Sequence, residues 1–174
     1  MSCHKVALLS GAMALALVSS AAGSDFGRPA TPNEIALWDI DVRPDGKGLP
    51  QGSGTVVQGK EVFAENCAVC HGDNGVGGIK DRLVGGQGSL ASAMPVKTVG
   101  SFWPYATTLF DYIRRAMPYN EPKALTADEA YAVSAYVLAL NGIIGAGDVV
   151  DAQSLPKVKM PNRDGFVPFP RVPR

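Results

Sequence analysis

Three stretches of the chain repeat apolar residues every three or four positions, and the segments on either side break that rhythm with proline and glycine. In the first stretch, Val56, Gly59, Phe63, Cys67 and Cys70 fall on one side of a helix. Thr55-Val56-Val57-Gln58 has the form of a capping box and marks its start. The second stretch, Pro104 to Ala116, aligns Tyr105, Leu109, Tyr112, Ile113 and Ala116 on one face. The third opens at another capping box, Thr126-Ala127-Asp128-Glu129, and runs to about Asn141, where Gly142 stops it. Its stripe is Ala130, Val133, Val137 and Leu140, with Tyr136 alongside. Gly59 has no side chain, so another helix can come close there. Phe63 and Tyr136 are placed to pack where the first and last helices cross. The pattern predicts an all-α core over residues 55–142.

The flanks read differently. Lys5 precedes an apolar run from Val6 to Val18, followed by Ser19-Ser20-Ala21-Ala22. The run is shorter than the roughly 20 residues that span a bilayer. Residues 1–22 therefore read as a cleaved secretory signal peptide, and no later segment is apolar enough to span. Residues 23–54, with Pro29, Pro32, Pro44 and Pro50, read as an extended N-terminal arm. Thr31-Pro32-Asn33-Glu34 opens one short helical turn there, carrying Ile35 and Trp38. Residues 143–174, with Pro156, Pro161, Pro168, Pro170 and Pro173, read as a Pro-rich C-terminal tail, outside the helical core. Such a tail is either disordered or lies as extended chain along a surface. Val158, Met160, Phe166, Val167 and Phe169 are apolar enough to dock it.

Composition narrows the chemistry. The 174 residues carry 16 Lys+Arg and 16 Asp+Glu, which excludes a strongly basic nucleic-acid binder. Removing the leader takes away Cys3, His4 and Lys5 and leaves Cys67, Cys70 and His71 as the only Cys and His residues. A structural zinc site needs four ligands. A thioredoxin-type redox pair needs a βαβ setting that is missing here. A simple disulfide leaves His71 unexplained. Covalent attachment of one haem c accounts for all three residues. Two thiols three apart on a helix reach the two vinyl groups of one porphyrin, and the next residue, His71, stands over the iron.

A sixth iron ligand would come from methionine, and Met94, Met117 and Met160 each precede a proline. Met117 lies just past the second helix, and the loop Met117–Leu125 can cover the face opposite His71, which makes it the first choice. Met94, in a Gly/Ser-rich loop, is the runner-up, and Met160 lies in the tail. Histidine–methionine ligation raises the potential and leaves no open iron position, so the chain reads as an electron carrier and not an enzyme, with no catalytic residue. Phe63, Leu83, Trp103, Leu109 and Tyr136 are the apolar side chains expected around the haem. Trp103, with Arg114 or Arg115, is the candidate propionate partner; a buried ring and two solvated cations explain these residues as well. The sequence assigns no acceptor for the His71 ring N–H.

The run Cys67-Ala68-Val69-Cys70-His71-Gly72, with a helix before it and a Met-Pro before a last helix, is similar to class I cytochromes c. Ile35–Gly46, Ser101–Pro118 and Leu155–Arg163 resemble the cytochrome subunits of bacterial sulfite and sulfane dehydrogenases. The resemblance implies a class I cytochrome c fold: three to four helices around one covalent haem, with an extended N-terminal arm and a Pro-rich C-terminal tail. It implies Met117 as the iron ligand and the periplasm as the location. It also implies a molybdenum-containing sulfite dehydrogenase subunit as electron donor and a further cytochrome or an oxidase as acceptor. Sulfane dehydrogenase cytochromes typically carry two haems, whereas this chain has one Cys-x-x-Cys-His, which favours the sulfite-oxidising type. The alternatives are a general periplasmic shuttle and a subunit of a sulfane dehydrogenase acting in thiosulfate oxidation.

Overall fold

Three threonines decide where helices begin. Thr31, Thr55 and Thr126 each accept the backbone N–H of the residue three positions on, and the Glu34, Gln58 and Glu129 side chains reach back to the threonine N–H. The computed structural model describes residues 27–167; the leader assigned to 1–22 and the chain from 168 onward lie outside them. The chain divides after Asp39 into two units. In the first, α1 (Pro32–Ala36) buries no residue. Arg28 donates to Glu34 at 2.8 Å, and that guanidinium holds the Glu34 carboxyl down at about 2.

The second unit holds α2 (Val56–Asn66), α3 (Ala68–His71), α4 (Ala106–Ala116) and α5 (Ala127–Leu140). The antiparallel strands β1 (Ser53–Thr55) and β2 (Val149–Asp151) pair Ser53 with Asp151. The expected helices are present, and the all-α expectation is corrected by this small ribbon. Among the described residues no helix is long and apolar enough to cross a membrane.

The α2–α5 crossing forms as the sequence suggests. A Cβ on Gly59 would stand 1.8 Å from the Ala132 carbonyl oxygen, so only glycine permits this approach. Phe63 and Tyr136 meet edge-to-face with ring centroids 5.3 Å apart.

Other expectations change. The second stretch starts at Ala106, because Tyr105 stays extended (φ −138°, ψ 133°) as the N-cap. Tyr112 is 48% exposed, while Thr107 and Asp111 are buried. α5 is buried on every side from Ala130 to Leu138, not along a stripe, since α2, α4 and β1 surround it. The tail is not peripheral: Leu155 and Met160 are core residues at 0% and 3% exposure, β2 pairs with β1, and the Asn162 amide donates to Phe102 O at 2.8 Å.

The chain before β1 is a strap tied to helices. Val42 N–H donates to Asp111 Oδ1 at 2.9 Å, Thr107 Oγ1 to Pro44 O at 3.4 Å, and Ser53 N–H to Asp128 Oδ1 at 2.8 Å. Tyr131 Oη donates to Pro50 O at 2.9 Å, and burial pushes its phenol up to about 12. The folded state therefore holds this proton more tightly than the unfolded state, whose tyrosine ionises near 10. The resulting stability is complete below pH 10 and is lost as pH rises towards 12. Alkaline melts of wild type and Tyr131→Phe should converge over that window, after a loss of about 1 kcal/mol in the variant at neutral pH. Parallel curves would refute the linkage.

Candidate functional site

The helix carrying the first cysteine breaks just before it. Asn66 turns its amide back to Val62 O at 2.9 Å, and Cys67 leaves helical geometry (φ −122°, ψ −38°). The chain re-enters a helix at Ala68. His71 N–H donates to Cys67 O at 3.0 Å, so Cys67 and Cys70 stand one turn apart and His71 follows directly. Both thiols are free in the polypeptide and half-buried. Burial, with Cys70 as neighbour, pushes the Cys67 thiol up to about 11. A redox-active Cys-x-x-Cys needs the opposite shift. Among the described residues no three His, Cys, Asp or Glu side chains cluster as a metal-binding group.

The acceptor for the His71 ring is a backbone carbonyl. Nδ1 lies 2.8 Å from Asp81 O. A carbonyl can only accept, so Nδ1 carries the hydrogen and Nε2 keeps its lone pair for iron. Glycines bring Asp81 there. At Gly72 (φ 79°) a Cβ would sit 1.9 Å from Val76 O, and at Gly78 it would sit 2.1 Å from Cys70 O. The loop folds back on the cysteine turn, and Lys80 N–H donates to Cys70 O at 2.9 Å.

Beyond that loop, Asn141 holds the irregular segment together. Its Oδ1 accepts Gly85 N–H at 3.1 Å, its Nδ2 donates to Leu83 O at 3.2 Å and to Val137 O at 2.9 Å, and its carbonyl accepts the Gln87 amide at 3.1 Å. The sequence shows Asn141 only as a helix end. Asn141→Ala is expected to cost about 2 kcal/mol, because the part-buried Gly85 N–H and Leu83 carbonyl lose their partners. Thermal unfolding measures this, and an unchanged midpoint would show that the hub is dispensable.

The three methionines separate by environment. Met94 is 82% exposed, and Met160 is taken into the core. Met117 is half-buried as the C-cap of α4, its N–H donating to Ile113 O at 3.1 Å. Of the other residues expected around a haem, Phe63, Leu109 and Tyr136 are buried, while Leu83 and Trp103 are partly buried against the core. Trp103 meets Tyr112 edge-on at 5.7 Å. Arg115 is committed to Asp111, donating from Nε at 2.8 Å. Among the described residues Arg114 carries no such ion pair, and both arginines line a cavity of about 280 Å³ with Lys123 and Leu125. Trp103 and Arg114 therefore remain the freer candidates for a propionate. The donor set fits haem c: two thiols one turn apart, an imidazole with its free nitrogen fixed by a carbonyl, and apolar side chains nearby.

Known proteins agree with this chemistry. Residues 54–137 match the family described as cytochrome c oxidase, cbb3-type, subunit III. The chain is 44% identical to one in the crystal structure of the sulfane dehydrogenase SoxCD from Paracoccus pantotrophus, with a TM-score of 0.78, covering 84% of this chain and 72% of that one. It is also 33% identical over 90 residues to a thiosulfate dehydrogenase from Stutzerimonas stutzeri (strain A1501). That match takes in 51% of this chain but only 28% of the relative's length.

Proposed function

The chain belongs to the cytochrome c family, and from that premise we propose that it is the electron-accepting cytochrome of a periplasmic, molybdenum-dependent sulfite dehydrogenase. Haem c supplies a one-electron ferric/ferrous couple. Cys67 and Cys70 tether it, and His71 Nε2 binds the iron. The 2.8 Å hydrogen bond from His71 Nδ1 to Asp81 O, which orients the imidazole and raises its basicity as a ligand, supports haem binding, and the observation that carries the partner class is the 44% identity to a chain of SoxCD. Met117 is the methionine that would hold the iron together with His71, since Met94 is in solvent and Met160 is in the core. The Trp103 indole N–H serves a propionate. The iron is then closed to exogenous ligands, and the chain carries electrons without chemistry of its own on a substrate.

Sulfite and water give sulfate, two protons and two electrons. One chain takes these electrons singly and passes each to a further cytochrome or an oxidase. A second reading, the cytochrome of a sulfane dehydrogenase, is favoured by the 44% identity to a chain of SoxCD. The single Cys-x-x-Cys-His favours the first. Stopped-flow mixing of the ferric protein with a molybdenum sulfite dehydrogenase and sulfite should reduce the haem at the rate of enzyme turnover. Reduction that requires a sulfane carrier instead of sulfite would select the second reading. Reduction by neither would leave a general shuttle.

A further inference from the structure

α4 presents two stripes that start two residues apart. Thr107, Asp111 and Arg115 form one, and Leu109, Ile113 and Met117 form the other. At 3.6 residues per turn an offset of two residues is about 200°, so the stripes face opposite ways. Leu109 and Ile113 are buried core residues, and their stripe runs out to Met117. The polar stripe is what the N-terminal strap grips. Asp111 Oδ1 accepts both Val42 N–H at 2.9 Å and Arg115 Nε–H at 2.8 Å, while Oδ2 accepts the Arg115 guanidinium. Thr107 Oγ1 donates to Pro44 O one turn earlier. Asp111 is 7% exposed and Thr107 is 1% exposed. Two polar residues are thus buried on the back of the helix whose C-cap is the proposed iron ligand.

We infer that Asp111 is a positioning residue: by fastening α4 to the strap at Val42 it sets the depth at which Met117 is presented. This rests on the reading of Met117 as axial ligand. A helix held only by its apolar stripe can slide or tilt. A small shift at Asp111 is carried through about 1.7 turns to residue 117, the C-cap of the helix. Without the clasp, the conformer in which sulfur has left the iron is more populated, and an exogenous ligand binds in proportion to that population.

The test uses ferric holoprotein and cyanide as the probe. Asp111→Asn keeps the shape but replaces the charged oxygen that accepts both Val42 N–H and Arg115 Nε–H with a neutral amide, so the clasp on the strap is weakened. The variant is expected to bind cyanide about tenfold more tightly than wild type, to weaken the near-infrared sulfur-to-iron absorption, and to lower the reduction potential. Thr107→Val, which cuts the other strap bond without touching the carboxylate, should move all three readouts in the same direction by less. Lowered melting temperature with wild-type cyanide affinity in Asp111→Asn would overturn the inference, because a merely structural role predicts that pattern. Should Asp111→Asn fail to yield holoprotein, Thr107→Val is judged by the same criterion. Met117→Ala separates the two readings. If it keeps the sulfur-to-iron band, the ligand assignment is wrong and the inference falls with it. If the band is lost there but is intact in Asp111→Asn and Thr107→Val, only the inference falls.

Discussion

Gly59→Ala is expected to destabilise the protein by about 3 kcal/mol or more, a fall in melting temperature of about 10 °C or more. The added methyl carbon would lie 1.8 Å from Ala132 O, 2.5 Å from its carbonyl carbon and 2.8 Å from Tyr136 Cβ. Two of those three atoms belong to the backbone of α5, so no rotamer change relieves the clash. The helices must separate, and the Phe63–Tyr136 edge contact opens with them. α5 is the centre of the fold, buried from Ala130 to Leu138, so the displacement reaches β1 and α4 as well. Val57→Ala, on the exposed side of α2, is the control and should change stability by no more than about 0.5 kcal/mol. Circular-dichroism melts of the two variants decide the matter. A Gly59→Ala protein melting beside wild type would mean that the helices do not cross at this distance.

The second large effect concerns the cofactor. Replacing both Cys67 and Cys70 with serine should abolish covalent colour, read as haem staining after denaturing electrophoresis, and should remove most of the cooperative thermal transition. The reason is physical. From Gly72 to Tyr105 the only regular element is the 3₁₀ turn Ser89–Ala91, and that long segment is held by scattered hydrogen bonds. A stretch this irregular needs an apolar body to pack against. Phe63, Leu109 and Tyr136 offer one wall, and a porphyrin would supply the rest. Either cysteine alone keeps one tether, so single serine variants should retain covalent colour. Colour that survives denaturation in the double variant would end the account of the site.

Much of this was legible before any coordinates. The Thr-x-x-Glu and Thr-x-x-Gln boxes, the small residue at Gly59 and the aromatic pair Phe63/Tyr136 are side-chain signals with local or helical periodicity, and the structure places them as that periodicity suggests. The His71 acceptor leaves no such trace, because a backbone carbonyl has no residue type. The α4 face departs from its periodicity for a related reason. Thr107 and Asp111 are polar, so periodicity sends them to solvent, yet hydrogen bonds to the strap let them be buried. The sequence places Met160 in a Pro-rich tail, outside the helical core but apolar enough to dock, and the structure seats it in the core. Proline forbids regular helix but does not forbid burial, and the tail packs as irregular chain.

The β1–β2 ribbon also bears on how the molecule comes apart. Six residues of antiparallel ladder are marginal by themselves. This pair holds because Val150 is 2% exposed and because Gly54 lies against Ala132, where a Cβ would meet the backbone nitrogen at 2.1 Å. The strap and the tail, nearly a hundred positions apart in the chain, share that seat on α5. They should therefore let go together, as a single latch whose opening frees both flanks at once.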